Sequence, residues 1–503
     1  MQKNVTKKLA IRGLLIALAF GLSWLEAQIP YPFPLPGMKI GLSNLVVLIA
    51  LYKLSDIDAL LINIARIMLV GLLFTNIYSI SFSLVGGIVS YLVMCLLKNK
   101  TKLDIKFVSV AGGISHNVGQ IILSMIILEN AGIIWYLPFL WISGIVAGIL
   151  VGIACELVLK RMPVNLLLVV LVVMSTTLTA CSSPFPKTYS SQLFAMDTFM
   201  TVEAYGTKSK EAVDEAFKEI ERLDALWSVG LHNSEISQIN RSEVSSVSED
   251  TADLLGRMAL ISDETKGAVD ITIYPLMELW GFTDGNTRVP SDEEIKDCLK
   301  KVSYLNIEFD EKDNHIALSS EASIDLGAVA KGYASDKVVS ILKDNGIKSA
   351  NINLGGNVYA LGCKPDGSLW KIGIENPRPE LGMFNALPYL GVLSIHDKAV
   401  VTSGDYHRFF TEGDERYHHI MDPFTGYPSK SGLMSVTVVS EDGTFADALS
   451  TALFVMGKEK ALSYWKEHSD NFDTILVESN GSITITIGLK DIFKSDLEYS
   501  VYE

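Results

Sequence analysis

Two unlike hydrophobic patterns divide the chain. Up to about Ala180, apolar residues come in long runs: about Leu9–Trp24, Ile40–Tyr52, Ile57–Phe74, Ile80–Leu97, Phe107–Leu128, Ile133–Leu159 and Val164–Ala180. Most reach the ~20 residues that a helix needs to cross a bilayer, while Ile40–Tyr52 is short. After Ser182 the pattern becomes that of a soluble mixture. Tyr189–Ala204 alternates and predicts a strand. Ser209–Trp227 sets Ala212, Ala216, Ile220 and Leu223 at helical spacing. Shorter helices are predicted over Ser234–Asn240 and Thr251–Thr265. A strand-like run covers Ala322–Leu326, and strands are predicted over Ser349–Asn353 and Trp370–Pro377.

Charge adds orientation. The basic residues Lys3, Lys7, Lys8 and Arg12 precede the first run, and Lys53 follows the second. Lys98, Lys100, Lys102 and Lys106 lie between the fourth and fifth, and Lys160 and Arg161 between the sixth and seventh. Basic loops stay inside. Seven spans therefore put the N-terminus in the cytoplasm and everything after Ala180 outside. At 503 residues two or more domains are expected. The net charge of −15 comes mostly from the second half and argues against a nucleic-acid partner. Five cysteines without C-x-x-C spacing signal neither zinc nor a disulfide framework.

Several polar residues fall inside the apolar runs. Arg66 is one, and Ser115-His116-Asn117-Val118-Gly119-Gln120 is a cluster, with the stiff Pro30–Gly37 loop leading into Lys39 and Asn44. Polar groups at that depth either line a substrate path or hold the bundle together by interhelical hydrogen bonds. At the seam, Lys160-Arg161-Met162 precedes the apolar Val164–Met174 and then Leu178-Thr179-Ala180-Cys181. Basic residues, an apolar core and L-x-A-C form a bacterial lipoprotein signal, with a cut leaving Cys181 lipidated. The other reading is an uncut seventh span ending in a Cys. The expected domains are 1–160 (membrane), 161–181 (signal or anchor span) and 182–503 (soluble).

The membrane motifs P-G-M-K-I-G-L-S-N (Pro36–Asn44), N-I-A-R-I-x-L-V-G-L-L (Asn63–Leu73), F-S-L-V-G-G (Phe82–Gly87) and G-G-I-S-H-N-V-G-Q (Gly112–Gln120) carry a resemblance. They look like the Gx transporter family, whose members are often labelled heptaprenyl diphosphate synthase component I. Its members are similar to the six-helix substrate-binding subunits of energy-coupling-factor transporters. The resemblance implies an all-α bundle of six spans more than a substrate.

The candidate chemistry lies in the soluble half. Ile324–Asp336 reads I-D-L-G-A-V-A-K-G-Y-A-S-D. It runs from the strand-like lead-in through Gly327 to a helix start, where free N–H groups suit an anion. Asp325 and Lys331 flank that start, though an ordinary strand–turn–helix reads the same way. Asp270, in G-A-V-D-I-T-I-Y-P-L, is either a ligand-binding acid or an N-cap. Asn353-Leu-Gly-Gly-Asn357 is a phosphate or backbone-approach turn. His418 and His419 point opposite ways on a strand, so they do not share one metal, and one suits a general base. Asp447 and Thr451, at i and i+4 on a predicted helix, share a face. A carboxylate and a hydroxyl are hard ligands that suit Mg²⁺; alternatively Asp447 caps the helix and Thr451 is buried.

Taken in order, A-M-D-T, G-A-V-D-I-T-I-Y-P-L, I-D-L-G-A-V-A-K-G-Y-A-S-D, L-G-G-N, T-S-G-D-Y, H-H-I-M-D-P-x-T-G-Y-P and A-D-A-L-S-T-A span Ala195–Ala452. This set resembles the ApbE family, the FAD:protein FMN transferases. The resemblance implies an α+β, T-fold-like domain. It would bind FAD and Mg²⁺, move FMN onto a Thr hydroxyl of an acceptor flavoprotein, and release AMP. By the same resemblance, Met196, Ala268, Val269, Asp270, Asp325, Lys331 and Met421 would line the FAD. Ala328 (through its carbonyl), Asp447 and Thr451 would hold the metal, and His419 would be the base. Asp197 stands where the family's M-G-T has Gly, and Trp227 stands near where its flavin-stacking residue is expected. The fusion implies a membrane half that moves a flavin or a related molecule to a transferase at the outer face. The alternative is a flavin transporter or receptor whose soluble half only binds or hydrolyses FAD.

Overall fold

The computed structural model describes residues 2–27, 43–74, 77–127, 137–161 and 188–503, apart from 311, 320, 380–382 and 414. It divides into two compact units, Met1–Pro184 and Phe185–Glu503. The predicted lipoprotein signal with Cys181, the seventh run and the Pro30–Gly37 loop lie outside the described residues.

In the first unit, the described residues form six helices: α1 (Gln2–Ala27), α2 (Asn44–Lys53), α3 (Asp56–Phe74), α4 (Ile77–Lys100), α5 (Ile105–Ile127) and α6 (Leu137–Arg161). They follow the first six apolar runs. At about 1.5 Å per residue, the 10 residues of α2 reach far less than a bilayer's thickness. By length and composition, Ile80–Lys100 and Leu140–Lys160 are long and apolar enough to cross a membrane. Large apolar side chains such as Leu92, Leu96, Phe107, Ile126 and Ile142 face outward. Helices α5 and α6 meet backbone to backbone. A Cβ on Gly113 would lie 2.5 Å from the Gly144 carbonyl oxygen, and one on Gly148 2.5 Å from the Val110 Cα. Small residues at such a crossing let helices close without bulky side chains.

The second unit is built on a nine-stranded sheet whose strands lie in chain order: β1 (Thr188–Ala195), β2 (Thr198–Tyr205), β3 (Ser349–Leu354), β4 (Asn357–Leu361), β5 (Lys398–Gly404), β6 (Leu433–Ser440), β7 (Phe472–Glu478), β8 (Ile483–Thr486) and β9 (Ser500–Tyr502). Neighbours are antiparallel except the last pair, which is parallel. Helices α7 (Ser209–Trp227), α8 (Ala330–Asp344) and α9 (Gly443–Met456) contribute to the apolar core on one face. The other face packs on a three-stranded sheet of Trp370–Glu375, Tyr389–Ile395 and Phe493–Lys494. Strand β6 lies between the two layers and is buried at all eight positions. Helix α7 forms where its spacing predicts, with Ala212, Ala216, Ile220 and Leu223 fully buried.

Two predicted strands are corrected. Tyr189–Ala204 is a hairpin rather than one strand, because Met196 and Asp197 take φ of 48° and 59° between the paired Ala195 and Thr198. Two successive left-handed residues make the type I′ turn that matches strand twist. Met is not a turn signal, so the alternation ran through it unbroken. Ala322–Leu326 joins no sheet. Its polar backbone is met instead by the Asn240 side chain, which bonds both the Ile324 N–H and its carbonyl, and by the Ile271 carbonyl, which accepts from Asp325 N–H at 2.8 Å. The Gly355-Gly356 pair is the hairpin turn between β3 and β4, with φ of 68° and 101°. At Gly355 a close approach adds to the turn, since a Cβ there would lie 2.4 Å from the Thr198 Cγ2.

Candidate active site

Two helix starts meet at the centre of the candidate site, and each is capped by the other helix. Asp447, on the second turn of α9, accepts the Gly332 N–H of α8 at 2.8 Å through Oδ2. Asp336, on the second turn of α8, accepts the N–H groups of Gly443 and Thr444 at 2.8 Å each, and the Thr444 hydroxyl. Asp442 adds its own cap to Phe445 N–H. The crossing is tight: a Cβ on Gly332 would lie 2.4 Å from the Gly443 carbonyl oxygen and 2.7 Å from the Asp447 Cβ. Helix N-termini leave N–H groups unpaired and attract negative charge, so reciprocal carboxylates satisfy both ends at once.

This exchange shapes the predicted metal residues. In an uninterrupted helix Gly332 N–H would bond the Ala328 carbonyl. Asp447 takes that donor, and among the described residues the Ala328 carbonyl accepts no other hydrogen bond. Asp447 is 6% exposed, and among the described residues it forms no ion pair. Burial pushes its pKa up, opposed by Lys331 nearby. Thr451 follows one turn later on the same face, its hydroxyl 3.2 Å from Ser403 Oγ on β5. Ser403 also contacts Ser450 Oγ at 2.8 Å, which ties α9 to the sheet. Among the described residues, no three or more His, Cys, Asp or Glu side chains gather as a metal cluster. A site here therefore rests on one carboxylate and neutral oxygens. That donor set suits Mg²⁺, which keeps waters and substrate phosphates as its remaining ligands.

Around this corner lie the charged side chains. Lys331 acts electrostatically on Asp325, Asp447 and His407. Arg408 acts on Asp325 and His419. Asp325 accepts Gly327 N–H at 2.9 Å, and burial raises its pKa against the pull of that bond and of Lys331. The two histidines separate by tautomer. His418 is buried, with Nδ1 accepting from Ile420 N–H and Nε2 donating to the Ser429 carbonyl. His419 donates through Nδ1 to the Arg408 carbonyl at 3.1 Å, because a carbonyl only accepts. That leaves the His419 Nε2 lone pair as the ring's acceptor. Burial, followed by Arg408, holds the His419 imidazole well below its usual pKa and therefore neutral.

Other predicted residues are placed differently. Asp270 is the N-cap of a short 3-10 turn over Ile271–Ile273. Its Oδ1 accepts the Thr272 N–H and hydroxyl at 2.8 and 2.6 Å, and its Oδ2 accepts Tyr304 N–H at 2.7 Å. With both oxygens occupied and 7% exposure, it shapes the loop rather than offering a free acid. Ala268 and Val269 point into the core, so only their backbone is left to meet a ligand. Met421 is buried in a small cluster with Trp280, Phe282 and Ile295. Trp227 is also core, with Nε1 bonded to Thr251 Oγ1 and its ring edge-on to Tyr333. It is not placed to stack on a ligand. Met196 sits in the left-handed turn beside Asp224, which accepts its N–H, and Asp197 fills the position where the family motif has Gly. Asp tolerates that backbone better than most residues.

Residues that sequence reasoning missed include Asp336, Gly332, Gly443 and Arg408. The first two lie inside the I-D-L-G…Y-A-S-D motif, but a cap reaching 107 residues along the chain leaves no local periodicity.

The ApbE family model matches residues 196–476, more than half of the chain. The chain belongs to the ApbE family. FAD:protein FMN transferases of Treponema pallidum (strain Nichols) and Klebsiella pneumoniae (strain 342) are 29% and 31% identical to it. Each alignment covers 60% of this chain, and 88% and 92% of the relatives respectively. The crystal structure of the ApbE protein of Thermotoga maritima is 34% identical, with a TM-score of 0.56, over 61% of this chain and 100% of that one. The apo form of the Pseudomonas stutzeri flavinyl transferase ApbE is 28% identical, with a TM-score of 0.55, over 63% of this chain and 100% of that one. The α/β fold of the ApbE domain is thus that of solved relatives. Residues 15–159 match a second family, heptaprenyl diphosphate synthase component I.

Proposed function

We propose that the ApbE domain is an FAD:protein FMN transferase that moves FMN from FAD to a threonine hydroxyl of an acceptor flavoprotein, at the outer face of a membrane. The observation that carries this reading is the crossing of α8 and α9. There Asp447 takes the Gly332 N–H that would otherwise bond the Ala328 carbonyl, Thr451 lies one turn further along the same helix, and Lys331 acts electrostatically on Asp447.

In the mechanism, Lys331 and Arg408 offset the charge of the FAD diphosphate, and Asp325 positions the loop through Gly327. His419 Nε2 accepts the proton of the acceptor threonine. The threonine Oγ forms a bond to the FMN phosphorus as the bond from that phosphorus to the AMP oxygen breaks, and AMP leaves. Ala328, Asp447 and Thr451 would hold Mg²⁺, which when bound neutralises charge on the diphosphate. Met196, the backbone of Ala268 and Val269, and Met421 would flank the flavin in this reading. Asp270 would act through the loop that it caps.

The first half is read as a membrane bundle of six spans over 1–160, like the energy-coupling-factor substrate-binding subunits. A seventh span, or a lipid-anchored Cys181, over 161–181 would lead to a T-fold-like domain over 182–503. The outward-facing apolar residues of α4–α6 support membrane insertion. The membrane half would move a flavin or a related molecule.

The test is to incubate the full chain in detergent with FAD, Mg²⁺ and a threonine-containing acceptor peptide. Covalent flavin on the peptide with release of AMP supports the proposal. AMP and free FMN without a peptide adduct would point to hydrolysis instead.

A further inference from the structure

The last residue of the Asn353-Leu-Gly-Gly-Asn357 motif has no part in its turn. Asn353 Oδ1 accepts the Gly356 N–H at 2.9 Å, and the two glycines carry the left-handed angles, so the turn closes without the Asn357 side chain. Asn357 is nevertheless only 5% exposed. It opens β4, where side chains alternate between the two faces of the sheet. Tyr359 and Leu361 belong to the core shared with α7, α8 and α9, and Ala360 to the core on the other face, so Asn357 faces the helices.

The neighbouring strands cover that face with apolar side chains, including Ile352, Leu354, Ala399 and Val401. Two polar side chains interrupt it beneath α9. Ser403 on β5 contacts Ser450 Oγ and Thr451 Oγ1. Asn357 on β4 turns its amide toward the Asp447 carboxylate, where it opposes the effect of burial as a donor does, beside the Gly332 N–H that Oδ2 accepts. These two polar positions of the sheet thus meet the two α9 side chains that would hold the metal. Asn357 Nδ2 is buried, and among the described residues it closes no hydrogen bond of ordinary geometry. A buried donor left in this way is unfavourable, and a leucine would fill the position without that penalty. The amide is therefore explained by the carboxylate that it faces and not by packing.

We propose that Asn357 is a positioning residue of the metal site: its amide steadies the Asp447 carboxylate from the sheet side, as Gly332 N–H does from α8, and so sets the affinity for Mg²⁺. The proposal rests on the reading that Asp447 and Thr451 hold Mg²⁺. Both donors are neutral, so they orient the carboxylate without cancelling the charge that a cation uses. Removing a partner that orients a ligating group lowers metal affinity by about 10- to 100-fold.

The test uses the full chain in detergent with saturating FAD and follows thermal unfolding as Mg²⁺ is titrated. Asn357→Leu removes the amide at similar volume. The Mg²⁺ needed for half of the stabilising shift should rise about 10- to 100-fold. Release of AMP in the presence of acceptor peptide should need the same extra Mg²⁺ and regain rate as Mg²⁺ is raised. A merely structural loss would instead lower the unfolding temperature alike at every Mg²⁺ concentration, with half-saturation unmoved. Asn357→Asp is isosteric and reverses the sign. A second carboxylate beside Asp447 repels it, so unfolding without Mg²⁺ should come earlier and the Mg²⁺ shift should exceed the parent's. Should Asn357→Leu show no cooperative unfolding, Asn357→Asp decides alone. Asp447→Asn keeps the two readings apart. If it retains the parent's Mg²⁺ shift, the metal reading itself falls; if it loses that shift while the Asn357 variants respond as the parent does, only the role of Asn357 falls. The proposal is overturned if Asn357→Leu keeps the parent's half-saturating Mg²⁺, or if the Mg²⁺ shift of Asn357→Asp is no larger than the parent's.

Discussion

Gly332→Ala adds one carbon where two helices touch. That Cβ would lie 2.4 Å from the Gly443 carbonyl oxygen, well inside the 3.0 Å that real Cβ contacts respect, and 2.7 Å from the Asp447 Cβ. Neither neighbour is the free end of a flexible chain, so α8 and α9 must part. Overpacking of this kind costs about 1–3 kcal/mol. Parting also stretches the 2.8 Å bond from Gly332 N–H to Asp447, and a hydrogen bond to a charged group contributes about 1.5–3 kcal/mol. Against these stands helix propensity, since alanine is favoured over glycine by about 1 kcal/mol in a helix interior. Near the first turn that gain is smaller, so the net loss is about 2–4 kcal/mol. Activity should suffer more than stability, because the shift moves Asp447 relative to Ala328. A misplacement of about 1 Å at a catalytic site costs on the order of 100-fold. The assay is kcat/KM for AMP release at saturating Mg²⁺, with thermal unfolding and FAD affinity measured in parallel. The account predicts a folded protein that binds FAD, unfolds earlier and transfers flavin 10- to 100-fold more slowly, by the same misplacement argument. An alanine variant as stable and as active as the parent would refute the described crossing.

Three further outcomes follow from the same geometry. His419→Gln should abolish transfer while leaving FAD binding intact. In the parent, burial lowers the His419 pKa, so the base stays neutral at neutral pH. Activity should stay flat as pH falls through about 6.5, the ordinary imidazole value, and decline only below it; a midpoint at or above that value counts against His419. Asp336→Ala removes the cap on Gly443 and Thr444 and should lower stability by about 0.5–2 kcal/mol, read by thermal unfolding, with Asp336→Asn partly restoring it. Without metal, the raised pKa of Asp447 means that its buried charge opposes folding above that pKa and is relieved as pH falls. Mg²⁺ offsets that penalty, so its stabilising effect should be large near neutral pH and shrink on acidification as protons compete for the carboxylate. Asp447→Asn should show no such gain, and an undiminished Mg²⁺ effect in that variant would remove Asp447 from the site.

Local pattern carried much of the fold. Helix α7 was legible because its buried face repeats every three or four residues, and the six helices of the first unit because their apolar runs are long. The Met196–Asp197 hairpin was not, since its turn depends on backbone angles that Met rarely signals. The Ala322–Leu326 segment looks like a strand by composition, but its backbone is met by the Asn240 side chain, 84 residues away, and by the Ile271 carbonyl rather than by a neighbouring strand. At the site, Asp447 and Thr451 were visible as an i, i+4 pair. The cap on α8, in which Asp447 accepts the Gly332 N–H, and the freed Ala328 carbonyl depend on a helix crossing that spacing alone does not encode. The spacing of His418-His419 gave two candidates and the resemblance named His419; the hydrogen bonds add that both ring nitrogens of His418 are engaged, whereas His419 is bonded through Nδ1 to Arg408.

The central claim is that oxygens gathered where α8 meets α9 support transfer of FMN to a threonine. Intact-mass spectrometry of a threonine-containing acceptor peptide, after incubation with the full chain, FAD and Mg²⁺, addresses it most directly. The account predicts one FMN on the threonine for each AMP released, and neither adduct nor AMP with Asp447→Asn. An adduct formed at the parent rate by Asp447→Asn, or AMP released by the parent with the peptide unmodified, would contradict it.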